Sequence, residues 1–192
     1  MEFNSIEFIN IFFPLCILSC SIFPKQTGYI LIVFSSIFYA WNSSIGFILL
    51  IISAILVHNK RNQKTNIKGS KILLIFFLIL PFLFFRSSLI LVEIIPLIAN
   101  INQTYPESLI LPAGVSFYTF QLIGFLFDKN PKSDEITLKE SILFTLFFPQ
   151  LIAGPIERAA DLIPQIKSLF NKGLVLDKEE INKGLYLVSI GL

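Results

Sequence analysis

Histidine occurs once in this 192-residue sequence, at position 58, and cysteine only twice, at positions 16 and 20. The two thiols are spaced i, i+4 inside an apolar run. They form no CxxC pair and no Cys/His cluster, so no metal site is expected, and they read as two small hydrophobes on one helix face. Charge is scarce as well: Asp, Glu, Lys and Arg make up 15% of positions, against about 25% in an average soluble domain. A net charge of +2, dispersed along the chain, excludes a nucleic-acid partner. The N-terminus carries Glu2 and Glu7 where a secretory signal would carry a basic segment. No cleaved signal is expected, and the first membrane segment is read from about Ile6.

What the chain has is hydrocarbon. Hydrophobic residues make up 54% of it, 21 of them Phe, and mean hydropathy is +0.75. This composition predicts an all-α integral membrane protein, a multi-pass helical bundle with kinked or re-entrant segments and the lipid bilayer as its solvent. Residues 1–192 read as part of a single membrane domain, without internal repeat or low-complexity linker.

Apolar stretches cover residues 8–23, 29–41 and 45–57. Pro24-Lys25-Gln26 and Asn42-Ser43-Ser44 read as turns between them. The first two are short for a perpendicular span, which wants about 20 residues. Three crossings are the simplest reading, with a re-entrant pair as the alternative. Residues 58–71 then form a polar loop holding Lys60, Arg61, Lys64, Lys68 and Lys71 with no acid. The positive-inside rule makes this loop cytoplasmic and, with three crossings, places the N-terminus outside. His58 reads as a solvated residue of that loop.

Residues 72–85 are apolar around Pro81 and end at Arg86; residues 89–99 follow, interrupted by Glu93 and Pro96. Buried or kinked helices fit this pattern better than a straight, lipid-exposed one. Arg86 reads as a snorkelling membrane-edge residue. With Glu93 it is also the one candidate for a transporter-like pair at membrane depth, a weaker idea because nothing repeats around it.

A polar loop at 100–107 precedes a membrane-compatible segment, 109–127, rich in small and polar residues that favour helix packing. After a loop at 128–135, Thr137 and Glu140 form a capping box that predicts a helix over 138–148. Beyond the Gly154-Pro155 turn, Asp161 is expected to cap a short helix with Pro164 in its first turn. Its face of Leu162, Ile163, Ile166, Leu169 and Phe170 suits a helix lying on a membrane surface. Asp177 and Glu180 repeat the capping pattern before a last apolar helix with no stop signal. The expectation is a chain truncated at its C-terminus.

Two segments carry the most information: Leu111-Pro-Ala-Gly-Val-Ser-Phe-Tyr-Thr-Phe-Gln121 and Phe147-Phe-Pro-Gln-Leu-Ile-Ala-Gly-Pro-Ile-Glu-Arg158. In the second, a Pro149 break and a Gly-Pro turn deliver Glu157 and Arg158 beside apolar sequence. Charges so placed usually mark a function or a cavity. Together these segments resemble the membrane-bound O-acyltransferase family, in its bacterial branch of alginate O-acetylase-like polysaccharide acylating enzymes. Phe3-Asn-Ser-Ile-Glu-Phe8, Ser36-Ile-Phe-Tyr-Ala-Trp41 and residues 184–192 are similar to the same branch, over the first part of its usual length. In Lys129-Asn130-Pro131 after Asp128 the chain departs from the pattern.

The resemblance implies a helical fold around a tunnel across the bacterial inner membrane. An acyl thioester, with no bound cofactor, would enter from the cytoplasm. A polysaccharide hydroxyl, or a periplasmic partner acyltransferase, would be met outside. Transfer of an acyl group, acetyl first of all, would need a general base to take the alcohol's proton. The family's embedded histidine lies downstream of the second motif, so no residue of this chain is assigned the catalytic role. The alternative function is a truncated, non-catalytic remnant or membrane scaffold.

Three residues are candidate tunnel-lining or structural positions: Gln121, Glu157 and Arg158. Glu157 and Arg158 would line the cytoplasmic mouth or brace its loops. The plainer reading has them fasten the Gly-Pro turn, with Arg158 pairing Asp161 at i, i+3. Gln121, with Tyr118 and Ser116, reads as an interhelical hydrogen-bonding residue as readily as a substrate contact.

Overall fold

Pro24 makes the first corner of the chain. The computed structural model describes residues 5–63, 68–99, 114–128, 135–151, 157–175 and 177–191. In it a π-helical turn, Phe8–Phe12, runs into α1 (Phe13–Ile22), and a 3-10 turn, Pro24–Gln26, leads into α2 (Thr27–Asn42). Proline has no N–H and its ring would collide with the carbonyl four residues back, so a helix that reaches it turns or kinks. The two halves are bent by 111°. Ser43 then opens α3 (Ser44–Asn62), its Oγ accepting from the Gly46 amide at 3.0 Å.

α4 (Lys68–Ala99), α5 (Val115–Phe127), α6 (Leu138–Leu146), α7 (Phe148–Leu151), α8 (Ala159–Lys172) and α9 (Lys178–Gly191) follow, and no strand occurs among the described residues. The all-helical expectation holds. Among the described residues α3 is the one helix long and apolar enough to cross a membrane, and residues 8–22 with 24–42 meet the same test only as one bent pair. Where three crossings are expected before the basic stretch, one helix and one bent pair meet the requirement. The Pro24 corner divides the first apolar sequence into pieces too short by themselves.

The basic stretch is not a loop throughout. α3 continues through His58, Lys60 and Arg61 to Asn62, and α4 begins at Lys68. α4 runs on through Pro81 and Pro96 to Ala99. Arg86 and Glu93 belong to it, but their side chains lie outside the described residues, as do the Gly154-Pro155 turn and the loop at 100–107.

α3 packs most extensively against α5 and α6, with α2 beside it. Their shared core holds Leu50, Ala54, Val57, Tyr118, Leu122 and Leu143, all essentially without exposure. A second cluster joins the N-terminal helices to the start of the second motif. Phe8, Phe12 and Phe38 surround Phe148 with ring centroids 5.6–6.1 Å apart, and Cys16 and Cys20 pack into the same cluster. The cysteine pair therefore occupies one buried helix face, as its spacing predicts.

Glu140 Oε2 accepts from the Thr137 amide at 2.9 Å, completing the capping box. The helix it opens stops at Leu146 rather than running to 148. Phe147 leaves the helical region (φ −50°, ψ 101°) and α7 restarts with Pro149 in its first turn. A continuous helix would drive the Pro149 ring against the carbonyl of Thr145.

α8 begins earlier than expected: Arg158, not Asp161, is its N-cap. Its apolar face is covered by protein, with Ile163 and Ile166 buried in the main core beside α6 and α2. The face predicted to rest on a membrane surface is thus consumed by tertiary packing. Past α8, Gly173 adopts φ 77° and the Leu174 amide donates to Pro24 O at 2.9 Å, tying the end of α8 to the first corner. Asp177 caps α9, its Oδ1 accepting from the Glu179 amide at 3.0 Å.

Candidate functional site

Gln121 sits in the middle of α5, and its neighbours decide what it can do. Gly114, with φ 82°, opens the helix in a left-handed conformation that suits a residue without Cβ. Tyr118 and Gln121 then lie one turn apart on the buried side, 1% and 2% exposed. Gln121 Nε2 donates to Phe144 O at 3.0 Å, which ties α5 to α6. Its Oε1 and the Tyr118 hydroxyl have no hydrogen-bond partner among the described residues. An acceptor buried without a partner costs about 1–3 kcal/mol.

Gln121, Glu157 and Arg158 line one pocket of about 340 Å³, with Gly124, Phe125 and Asp128 completing its wall. The three positions singled out in the sequence come from two motifs some thirty residues apart, and the fold brings them together. Glu157 and Arg158 are exposed. The Arg158–Asp161 ion pair does not form; the two residues meet through the backbone, the Asp161 amide donating to Arg158 O at 3.0 Å. Arg158 is therefore not tied down by that carboxylate, and it contributes charge to the pocket's edge.

Asp128 and Arg61 carry roles that the sequence does not announce. Asp128 ends α5 and its Oδ2 accepts from the Ala160 amide at 3.3 Å, capping α8 from a distant segment. A carboxylate there also favours the positive end of the helix dipole. Arg61, from the last turn of α3, donates to Phe125 O and places its guanidinium over the Phe125 ring, 4.4 Å from the centroid. The ring packs in turn on Phe144, centroids 4.9 Å apart. Asp128 fixes the floor where α8 starts; Arg61 fixes the wall.

His58 is not a solvated loop residue. It is half-buried, its Nδ1 2.8 Å from Ser141 Oγ and its Nε2 3.3 Å from Asn62 Nδ2. Asn62 Nδ2 also donates to Ile136 O at 3.2 Å. Ser141 has no exposure, so no substrate reaches its hydroxyl and the pair is a strut between α3 and α6. Among the described residues the arrangement offers the pocket an amide, a cation and two carboxylates, groups that can bind and position a ligand.

Fold and pocket together define a helical protein with one or two candidate membrane spans among its described residues and a polar recess at one end of its core. No family model matches the chain, and no solved structure matches it. Curated proteins do. The chain is 34% identical over 110 residues to a peptidoglycan O-acetyltransferase of Helicobacter pylori, covering 44% of this chain and 20% of that protein. It is 41% identical over 59 residues to a probable alginate O-acetylase of Pseudomonas aeruginosa, covering 30% and 11%. To a probable alginate O-acetylase of Pseudomonas putida it is 38% identical over 71 residues, covering 36% and 14%. The chain thus spans a fifth or less of the length of the curated relatives it matches. The resemblance read from the two motifs is matched by relatives that are O-acetyltransferases of peptidoglycan and alginate.

Proposed function

We propose that this chain is the N-terminal part of a membrane-bound O-acyltransferase that transfers an acyl group, acetyl first of all, to hydroxyls of an exported cell-surface polysaccharide. Its partial similarity to the two kinds of O-acetylating protein supports this reading. The observation that carries it is the convergence of Gln121, Glu157 and Arg158 on one recess. In this reading the protein sits in the bacterial inner membrane with several crossings, its N-terminus outside and the 58–71 segment in the cytoplasm.

Arg61 ties the cytoplasmic end of α3 to the end of α5 that borders the recess. The recess then faces the side from which a thioester donor arrives. Arg158 would attract the donor's anionic portion and Gln121 would hold an amide or hydroxyl of it. The reaction breaks the thioester C–S bond and forms an ester C–O bond, the acceptor's proton going to a base and the thiol leaving. His58, engaged at both ring nitrogens, is not that base, and the histidine implied by the family resemblance lies downstream of Arg158. The acceptor is a polysaccharide hydroxyl or a periplasmic acyltransferase that relays the acyl group.

The test is Arg158→Ala in the full-length protein, reading polysaccharide O-acetyl content in cells that carry it as their sole copy. Acetylation is expected to fall at least tenfold at unchanged membrane abundance. Wild-type acetylation at equal abundance would refute the assignment.

A further inference from the structure

Away from that recess, α3 and α4 leave a groove of about 650 Å³ between them. Its lining is ordered. Asn59 and Lys60 in the last turns of α3 and Ser70 in the first turn of α4 occupy one end, while Leu56, Phe77 and Leu80 continue it along the helices. From Ser70 to Leu80 the wall runs ten residues, roughly 15 Å at 1.5 Å per residue, about half the hydrocarbon thickness of a bilayer. Lys60 Nζ donates to Gln63 Oε1 at 2.8 Å, which aims the ammonium at the polar end with donors to spare. No carboxylate lines the groove among the described residues, and residues 58–71 hold five Lys/Arg without an acid.

The geometry points to a binding site for an anionic phospholipid, its phosphate on Lys60 and an acyl chain laid between α3 and α4. A polar end followed by one leaflet's depth of apolar wall repeats the order of groups in the lipid itself. Basic pockets at the cytoplasmic ends of membrane helices bind anionic headgroups for this reason, each Lys near the surface contributing about a fivefold gain in affinity. The inference rests on α3 lying in a membrane and is independent of the acyl-transfer reading.

Native mass spectrometry of the 192-residue chain in detergent, titrated with phosphatidylglycerol or with phosphatidylcholine of the same acyl chains, tests it. Saturable binding of one phosphatidylglycerol at least fivefold tighter than phosphatidylcholine is expected. Lys60→Gln should lose about fivefold and Lys60→Glu more. Lys172→Glu, the same charge change at the exposed end of α8, should lose nothing. Leu80→Trp, which fills the groove without altering charge, should weaken both lipids. Circular dichroism checks each variant's helicity; if Lys60→Glu does not fold, Lys60→Gln and Leu80→Trp carry the test.

Equal affinity for the two lipids overturns the site, as does equal loss in Lys172→Glu or undiminished binding in Leu80→Trp. So does displacement by glycerol phosphate at the lipid's own affinity, since the acyl chain would then be idle. None of these outcomes touches acetyl transfer, and failure of the Arg158 test leaves lipid affinity unchanged.

Discussion

Arg61 and Phe125 meet twice: the guanidinium donates to the Phe125 main-chain oxygen and lies over the Phe125 ring, 4.4 Å from its centroid. One side chain thereby closes α3 onto the end of α5 that forms the recess. A hydrogen bond from a charged donor contributes about 1.5–3 kcal/mol, and a partly desolvated cation–π contact about 1 kcal/mol. Arg61→Leu should therefore lower stability by about 2 kcal/mol or more, read as thermal unfolding in detergent by circular dichroism. Arg61→Lys should recover part of that, because a point charge keeps the hydrogen bond but loses the planar stack. A loss below about 0.5 kcal/mol for Arg61→Leu would show that the contact does not hold the helices together.

His58 and Ser141 should behave as one unit. Their 2.8 Å contact spans 83 residues of sequence and joins α3 to α6. In a double-mutant cycle of His58→Leu and Ser141→Ala, residues in direct contact couple by about 0.5–3 kcal/mol. The coupling is measured from the unfolding free energies of the two single variants and the double variant. Additive losses, within about 0.3 kcal/mol, would mean that the hydrogen bond is not maintained in solution.

Local signals were legible in the sequence and long-range ones were not. The Thr137/Glu140 box and the Cys16/Cys20 face each sit within one or two helical turns, where spacing alone fixes geometry, and each appears as expected. That Gln121, Glu157 and Arg158 line one recess is a product of the fold, which no local spacing announces. What failed to show was pairing across distance. Asp128 caps Ala160 from 32 residues away, so the local Asp161 signal does not mark the start of α8. The polar run at 58–62 looks like a loop by composition, yet those side chains bind α5, α6 and Ile136 O, and tertiary contacts keep it helical. A hydrophobic face, likewise, does not say whether lipid or protein will cover it, and in α8 the cover is α6 and α2.

Two glycines predict opposite signs. Gly173 holds φ 77°, and a Cβ there would run into the Pro24 carbonyl that accepts from the Leu174 amide. Gly173→Ala should cost about 1–3 kcal/mol and loosen the end of α8 from the first corner. Gly184, inside α9, has nothing within 4 Å of an added Cβ. Gly184→Ala should be neutral or stabilise by up to about 1 kcal/mol, since alanine loses less backbone freedom in a helix. Thermal unfolding of both variants in the same detergent decides the matter, and a shift of equal sign at the two sites would contradict the backbone geometry at Gly173.

Gln121 separates binding from folding. Its amide makes one hydrogen bond, to Phe144 O, and leaves Oε1 buried without a partner among the described residues. Replacing it by the similarly sized Leu removes a bond worth about 1 kcal/mol and removes an unsatisfied acceptor of comparable cost. The two effects oppose each other, and Gln121→Leu should keep stability within about 1 kcal/mol of wild type. If the unpaired oxygen serves a donor group in the recess, polysaccharide O-acetylation by the full-length variant should nevertheless drop by tenfold or more, in step with Arg158→Ala. A variant that loses stability and activity together would make Gln121 a packing residue. One that keeps both would empty the recess of its proposed role, because its polar interior would then contribute nothing to turnover.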